Sequence, residues 1–379
     1  MRVTKERLDA AKADALKKID ALMENFTEDF PSAACTNGAY RHDANRGGWT
    51  QCFYTGMLFL AYEMSGDKKY LDHAEKMVES FIYRVDNMLG MGDHDIGFTF
   101  TLSTVAAYKV TGKEIYREKS LAAARVLADR FREKGQFIQL VGDENVKDKA
   151  CYRLIIDCLM NTNLLYWAGV ETKDAEFTRK GFAHFNTTME TVVRENGSTF
   201  QNFYFDPATG ARLGGGTKQG FSDTSCWARG QSWGVTGVPL TYAYMKNEEI
   251  LPKYYTIVDY YLDHLPEDKV AYWDLDFTDG DEPRDTSAAA IAVCGLLAAT
   301  RTMPLDEAHK ARYEDAADEI MSSLLSSYTT RNTSEQGLLS HGTYYYAGKA
   351  GVDECCIFGD YFYMEALMRY SDPEWKKYW

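Results

Sequence analysis

The chain has 379 residues, 45% of them hydrophobic and 26% charged, with a formal charge of −14 at pH 7. That composition is ordinary for a folded protein, and with no Lys/Arg-rich block its acidity argues against a nucleic-acid or anionic-membrane partner. The eight cysteines lack C-x-x-C spacing, the N-terminus carries no apolar leader and no stretch is a membrane span, so neither zinc nor a disulfide framework is expected and the chain reads as cytoplasmic.

In chain order, the hydrophobic pattern alternates between two kinds of helix. Amphipathic segments with charged faces are predicted at 5–25, 69–83, 113–134, 175–194, 251–265 and 306–326. Between them lie segments apolar around the whole circumference, at 49–64, 96–110, 154–170, 227–245, 286–300 and 357–370. The first set reads as an outer layer and the second as an inner layer. A similar junction recurs at Ala61-Tyr62-Glu63-Met64-Ser65-Gly66-Asp67 and Ala107-Tyr108-Lys109-Val110-Thr111-Gly112-Lys113, and in divergent form at Tyr166-Trp167-Ala168-Gly169-Val170-Glu171-Thr172. Glycine after an apolar helix supplies a left-handed C-cap, so these junctions read as the turns of antiparallel helical hairpins.

Six such hairpins can close on themselves, and the expected fold is all-α, an (α/α)6 toroid with small β insertions, in one catalytic domain over 1–379. The length alone is equally consistent with two domains. An open solenoid is the competing architecture, and the uneven spacing and irregular inserts argue against it. The insert at 200–222 contains Asn202-Phe203-Tyr204-Phe205-Asp206-Pro207, a strand and turn, and Gly214-Gly215-Gly216, read as another turn.

Candidate chemistry gathers where the inner helices begin. Asp157 stands in Leu154-Ile155-Ile156-Asp157-Cys158-Leu159-Met160, a lone carboxylate in an apolar helical run. Dehydration raises the pKa of such a group and suits it to acid and base work, although a structural Asp paired with an Arg or with backbone amides would fit the same pattern. Asn161 follows one helical turn later and shares its face. In Gly92-Asp93-His94-Asp95-Ile96-Gly97-Phe98, His94 adjoins a second carboxylate, Asp95, whose charge it can tune. Asp285 and Asp360 also begin inner helices, where Asp commonly serves as an N-cap. The segment Ser225-Cys226-Trp227-Ala228-Arg229-Gly230-Gln231-Ser232-Trp233 joins rings to a guanidinium that can grip an anion. Its rings, like Trp49, suit either sugar stacking or core packing.

Taken in order, Trp49-Thr50, His94-Asp95-Ile96-Gly97-Phe98, Ile156-Asp157, Met160-Asn161, Gly220, Trp227-Ala228-Arg229-Gly230-Gln231, Asp285-Thr286-Ser287-Ala288 and Gly359-Asp360-Tyr361 resemble the unsaturated glucuronyl hydrolases of glycoside hydrolase family 88, an intracellular bacterial group with the toroid fold. Gln231-Ser232-Trp233 favours that family over the related family 105, which acts on unsaturated rhamnogalacturonan products.

The resemblance implies release of the unsaturated uronic acid from Δ4,5-unsaturated uronyl oligosaccharides, glycosaminoglycan disaccharides among them. The route is hydration: a proton goes to C4, water adds at C5, and the hemiketal opens to expel the aglycone, with no metal and no cofactor. By the same resemblance Asp157 is the general acid and base and Asp95 its partner. Arg229, Gln219 and Trp227 bind the unsaturated sugar, Trp49 and Tyr344 line the pocket, and His94, Gln201, Lys218 and Trp233 complete the binding set. The chain departs from the family near Gln201, at Lys218 where His is usual, and at Gln139-Leu140-Val141-Gly142, where a Trp is common. Lys218 is a candidate for holding a sulfate. The competing readings are a conventional inverting glycosidase on the same toroid and a carbohydrate-binding toroid without turnover.

Overall fold

The computed structural model describes residues 3–43, 47–143, 145 and 148–379; Met1 and Arg2, which lead into the first expected helix, lie outside them. The helices are α1 (Lys5–Asn25), α2 (Gln51–Ser65) and α3 (Lys68–Asp86), followed by α4, which runs from Ile96–Phe100 through a π turn at Thr101–Val105 to Ala106–Thr111. Next come α5 (Glu114–Asp129), α6 (Cys158–Asn161 continuing as Asn163–Thr172), α7 (Ala175–Thr191), α8 (Ala228–Met245) and α9 (Leu251–Asp263). The last are α10 (Thr286–Thr302), α11 (Glu307–Ser323) and α12 (Ile357–Ser371).

Composition sorts these helices into layers. Every residue of α8 from Ala228 to Tyr242, and of α10 from Thr286 to Thr300, is buried. In α3 burial is confined to one stripe that includes Tyr70, Ala74, Met77, Val78 and Phe81, the i, i+4, i+7 face expected of a helix packed on one side. The even-numbered helices form a closed inner ring, in which α2 packs on α4, α4 on α6, α6 on α8, α8 on α10, α10 on α12, and α12 back on α2. The odd-numbered helices cover that ring. This is an (α/α)6 toroid.

Turn chemistry sets where the helices stop. Gly66 and Gly112 take left-handed conformations at φ 72° and 71°, ending α2 and α4 as the junction motif predicts. The third, divergent junction differs. Gly169 lies inside α6, where a Cβ would meet Thr178 Oγ1 at 2.4 Å, and Lys173 (φ 60°) supplies the left-handed cap instead. Asp67, Asp174 and Asp306 cap the outer helices that follow the turns. No helix among the described residues is long and apolar enough to cross a membrane.

The small sheets lie in the connections that lead into inner helices. They are β1 (Phe30–Pro31) with β2 (His42–Asp43), β3 (Phe131–Arg132) with β4 (Phe137–Ile138), and β8 (Gly342–Tyr345) with β9 (Ala350–Glu354). A three-stranded antiparallel sheet joins β5 (Arg153–Ile155), β6 (Asn202–Phe205) and β7 (Arg212–Gly216), with Leu154 opposite Phe203 and Phe203 opposite Gly215. Two expectations change here. The run from 154 is not helical throughout: it begins as a strand, and Asp157 stands at the strand-to-helix corner. Gly214-Gly215-Gly216 is strand rather than turn, and Gly215 lets the Phe200 ring lie on the sheet, since a Cβ there would come within 2.2 Å of it.

In the inner ring α8 and α10 pack extensively on each other. A Cβ on Gly295 would fall 2.5 Å from Thr236 Oγ1 and 2.7 Å from the Val235 carbonyl. Gly295→Ala is therefore expected to destabilise the protein by about 1–3 kcal/mol through overpacking, read as a lower denaturation midpoint with an unchanged denaturant slope.

Candidate active site

Two chain corners meet at the mouth of the ring. Asp95 occupies the N-cap position of the Ile96–Phe100 helix and Asp157 that of Cys158–Asn161, yet neither carboxylate makes a capping hydrogen bond. Both are left free for other work. The corners approach closely because residue 97 is glycine: a Cβ there would lie 2.3 Å from Asn161 Cα. Asn161 then stitches them together. Its Oδ1 accepts the Phe98 N–H at 2.7 Å and its Nδ2 donates to Asp95 Oδ1 at 3.1 Å.

His94 sits behind the two carboxylates, 1% exposed. Its Nε2 is 3.2 Å from Asp157 Oδ1 and 3.5 Å from Asp95 Oδ1, whereas the two aspartates are 17% and 18% exposed. Asp157 Oδ1 is buried without a hydrogen-bond partner, so its close neighbour on that side is the imidazole. Burial disfavours the charged imidazole, but the Asp157 and Asp95 charges outweigh it and leave the His94 pKa raised. The Asp95 carboxyl is pushed up to about 8. Burial is the main cause, with His94 opposing it, Asp93 and Asp157 adding to it, and the Asn161 hydrogen bond opposing it. One ligand atom from each of His94, Asp95 and Asp157 lies within 4.8 Å of the others, a donor set that could also gather a cation. Here His94 Nε2 and the Asn161 amide face the carboxylates, which suits the set to holding protons.

The aromatic wall stands over this pair. Trp49 is half-buried, stacks on Phe358 (centroids 6.1 Å apart, planes 16°) and leans on Phe98. Tyr344, at the end of β8, has its hydroxyl pKa raised by burial, offset by a hydrogen bond from Trp49 and by the Arg229 charge; Asp95 raises it further. Trp49, Tyr344 and Asp95 therefore share one mouth. Gln219 donates to the Tyr344 carbonyl at 3.1 Å and accepts from Gln201 Nε2 at 2.6 Å. Gln201 Oε1 gathers the amides of Lys218 (2.6 Å) and Gln219 (2.8 Å), and the Gln201 carbonyl accepts the N–H of Ile156, next to Asp157. The Lys218 side chain is exposed at the rim.

Several residues expected at the sugar are covered by protein. The Arg229 guanidinium is buried between the Trp227 and Phe358 rings (4.4 and 4.8 Å) and donates to Asp285 Oδ2 and to the Thr343 and Tyr344 carbonyls at 2.6–2.7 Å. Its Nη atoms are committed, so it holds the Tyr344 strand in place. Trp227 is 5% exposed beneath it. Trp233 is 1% exposed, with Phe98 and Phe362 against it, and offers no open face for stacking. His94 is likewise covered, against the two carboxylates. Asp285 caps Ser287, and Asp360 accepts from Tyr40, Leu338 and Leu339, so both are structural. Phe358, the partner of Trp49, left no signal in its apolar helix. Asn161 did leave one, its spacing from Asp157.

The profile of Glycosyl Hydrolase Family 88 matches residues 18–372. The chain belongs to that family. It is 42% identical over 379 residues to the unsaturated chondroitin disaccharide hydrolase of Streptococcus pneumoniae (strain ATCC BAA-255 / R6), covering all of this chain and 95% of that one. Among solved structures, the unsaturated glucuronyl hydrolase of Streptococcus agalactiae superposes with a TM-score of 0.96 at 42% identity, over 100% of this chain and 95% of that one. A mutant of that protein, complexed with dGlcA-GalNAc6S, superposes with a TM-score of 0.89 at 39% identity, over 100% and 95% of the two chains. The family match thus spans residues 18–372, and the superposed structure covers the chain.

The raised Asp95 carboxyl has a stability consequence with a defined sign. Between the ordinary value of 3.8 and about 8, folding takes up a proton that the unfolded chain lacks, so stability falls as pH rises through that window and levels off above it. Asp95→Asn, neutral throughout, should gain on the wild type from pH 4 to 8 and hold a constant lead beyond, as measured by denaturant midpoints at pH 5, 7 and 9.

Proposed function

We propose that this family 88 protein, acting as one catalytic domain, removes the Δ4,5-unsaturated uronic acid from unsaturated uronyl disaccharides, chondroitin-derived ones foremost, by hydrating the C4=C5 enol ether. Asp157 delivers a proton to C4 and then accepts one from the water that adds at C5; the hemiketal so formed opens and the aglycone leaves. Asp95 keeps a proton in the pair, and His94 balances the charge as that proton moves. Trp49 and Tyr344 flank the sugar ring, with Gln219 beside them. Lys218, on the rim, is placed to meet an anionic substituent.

The observation that carries this reading is the spacing of the acids. Oxygens of Asp95 and Asp157 lie within 4.8 Å of each other and of His94 Nε2. An inverting glycosidase needs about 6.5–9.5 Å between its carboxyls to seat a water molecule, so the pair suits one shared proton better than two independent carboxylates. A conjugated enol ether asks for that chemistry: protonation at carbon, then addition of water, with the same group serving as acid and base. The chondroitin preference rests on the 42% identity to the Streptococcus pneumoniae relative and on the disaccharide held by the Streptococcus agalactiae mutant. A cavity of about 700 Å³ opens beside Tyr344, with Arg41, Tyr346 and Lys349 among its lining, and offers room for an aglycone. The eight cysteines are unpaired, which accords with a cytoplasmic site of action.

Loss of the alkene absorbance of an unsaturated chondroitin disaccharide reports the reaction directly. The wild type should abolish that absorbance, and Asp157→Asn should slow it roughly 10²–10⁴-fold with the fold intact. Full activity in that variant, or no turnover of chondroitin-type, hyaluronan-type and heparin-type disaccharides with and without sulfate, would overturn the proposal.

A further inference from the structure

The main chain of one residue bridges the segments that lead into Asp95 and Asp157. Leu140 lies between the two corners. Its carbonyl accepts the His94 N–H at 2.9 Å, and its own N–H donates at 2.9 Å to the carbonyl of Arg153, on the strand that runs into Asp157. One residue thus links the Asp95 corner to the Asp157 corner. The neighbouring pairing of Asp93 with Val141 extends the link. This strip, Gln139-Leu140-Val141-Gly142, is also where the chain carries no aromatic ring that could reach a sugar.

One buried guanidinium reaches most of the strip. Arg130, at the C-terminal end of α5, donates from Nε to the Gln139 carbonyl at 3.0 Å and from Nη2 to the carbonyls of both Leu140 and Gly142 at 3.0 Å. Three bonds from one rigid guanidinium fork to the carbonyls of residues 139, 140 and 142 brace this irregular strip, and Gln139 Nε2 takes the Val141 carbonyl between them at 2.6 Å. The Leu140 carbonyl therefore has two donors, His94 N–H on the site side and Arg130 on the outer side. The charged groups facing Arg130 are Asp93, Asp95 and Arg132. Those facing Asp95 are His94, Asp93 and Asp157. His184 neighbours His94, and Tyr344 faces Asp95 from across the mouth.

We infer that Arg130 is a positioning residue for the reaction: through the main chain of Leu140 it fixes how far Asp95 stands from Asp157, and its charge steadies the acidic corner from behind. The inference rests on the role proposed for the two aspartates.

Arg130→Gln removes both fork and charge, whereas Arg130→Lys keeps the charge and loses the fork. For folded enzyme, Arg130→Gln should lower kcat roughly 10–100-fold with KM changed less than about 3-fold, because a misplacement near 1 Å at the reacting groups is enough to do so. Its alkaline limb should move to higher pH, since losing a nearby cation makes Asp95 harder to ionise. Arg130→Lys should restore that limb while kcat stays reduced. The inference fails if both variants lose thermal stability or folded yield but keep wild-type kcat and pH profile per folded molecule. Should Arg130→Gln not fold, Arg130→Lys decides alone: reduced kcat with the wild-type limb supports the inference, and unchanged kcat refutes it. Asp157→Asn and Asp95→Asn, run in parallel, separate the two levels. If both aspartate variants keep full activity, the underlying reading fails; if they lose it while the Arg130 variants do not, only the Arg130 inference fails.

Discussion

Two carboxyl groups whose oxygens lie within 4.8 Å cannot both shed their protons cheaply in a place that water barely reaches. The site is built around that constraint. His94, covered by protein, brings its Nε2 to 3.2 and 3.5 Å from the two oxygens, and their charges outweigh its burial and raise its pKa. Asn161 adds a neutral donor to the same Asp95 oxygen. A proton that the raised pKa holds on Asp95 then lies beside Asp157, the group proposed to meet the sugar. Acid and base chemistry follows from proximity and burial together.

The toroid makes that proximity possible. Each inner helix begins at the same end, so corners far apart in sequence converge on one mouth. Gly97 permits contact between the α4 and α6 corners, and Leu140 ties the strands behind them. On the opposite wall, Arg229 ties α8 to Asp285 at the head of α10 and to the carbonyls of β8, and so presents Tyr344. The buried arginines at 130 and 229 share a logic: each directs its guanidinium at main-chain carbonyls of a connection that leads to the site.

Much of this architecture was legible in the amino-acid order. Helix layers follow from apolar periodicity, which is local information, and the Gly66 and Gly112 caps follow from turn chemistry. Asp157, Asp95 and His94 stood out as polar groups at the starts of apolar runs. Periodicity could not show that the run from 154 opens as a strand, because strand pairing with Phe203 is decided some fifty residues later. Nor could it separate residues that face the sugar from those behind them. Arg229 is held by partners at 285, 343 and 344, and Trp233 is enclosed by Phe98 and Phe362, contacts that exist only once the ring has closed. The role of Leu140 lies in its main chain and leaves no mark on residue type.

The central claim is that the reaction begins at the C4=C5 bond and not at the glycosidic oxygen. A sulfur-linked unsaturated chondroitin disaccharide tests it most directly, because a thioether bridge is too weak a base for direct glycosidic cleavage yet leaves the enol ether intact. The account predicts that the alkene absorbance of the thioglycoside disappears at a rate within about tenfold of the oxygen-linked substrate and that Asp157→Asn suppresses both, tenfold being about 1.4 kcal/mol of barrier. An enzyme that consumes the oxygen-linked disaccharide and leaves the thioglycoside untouched would contradict it.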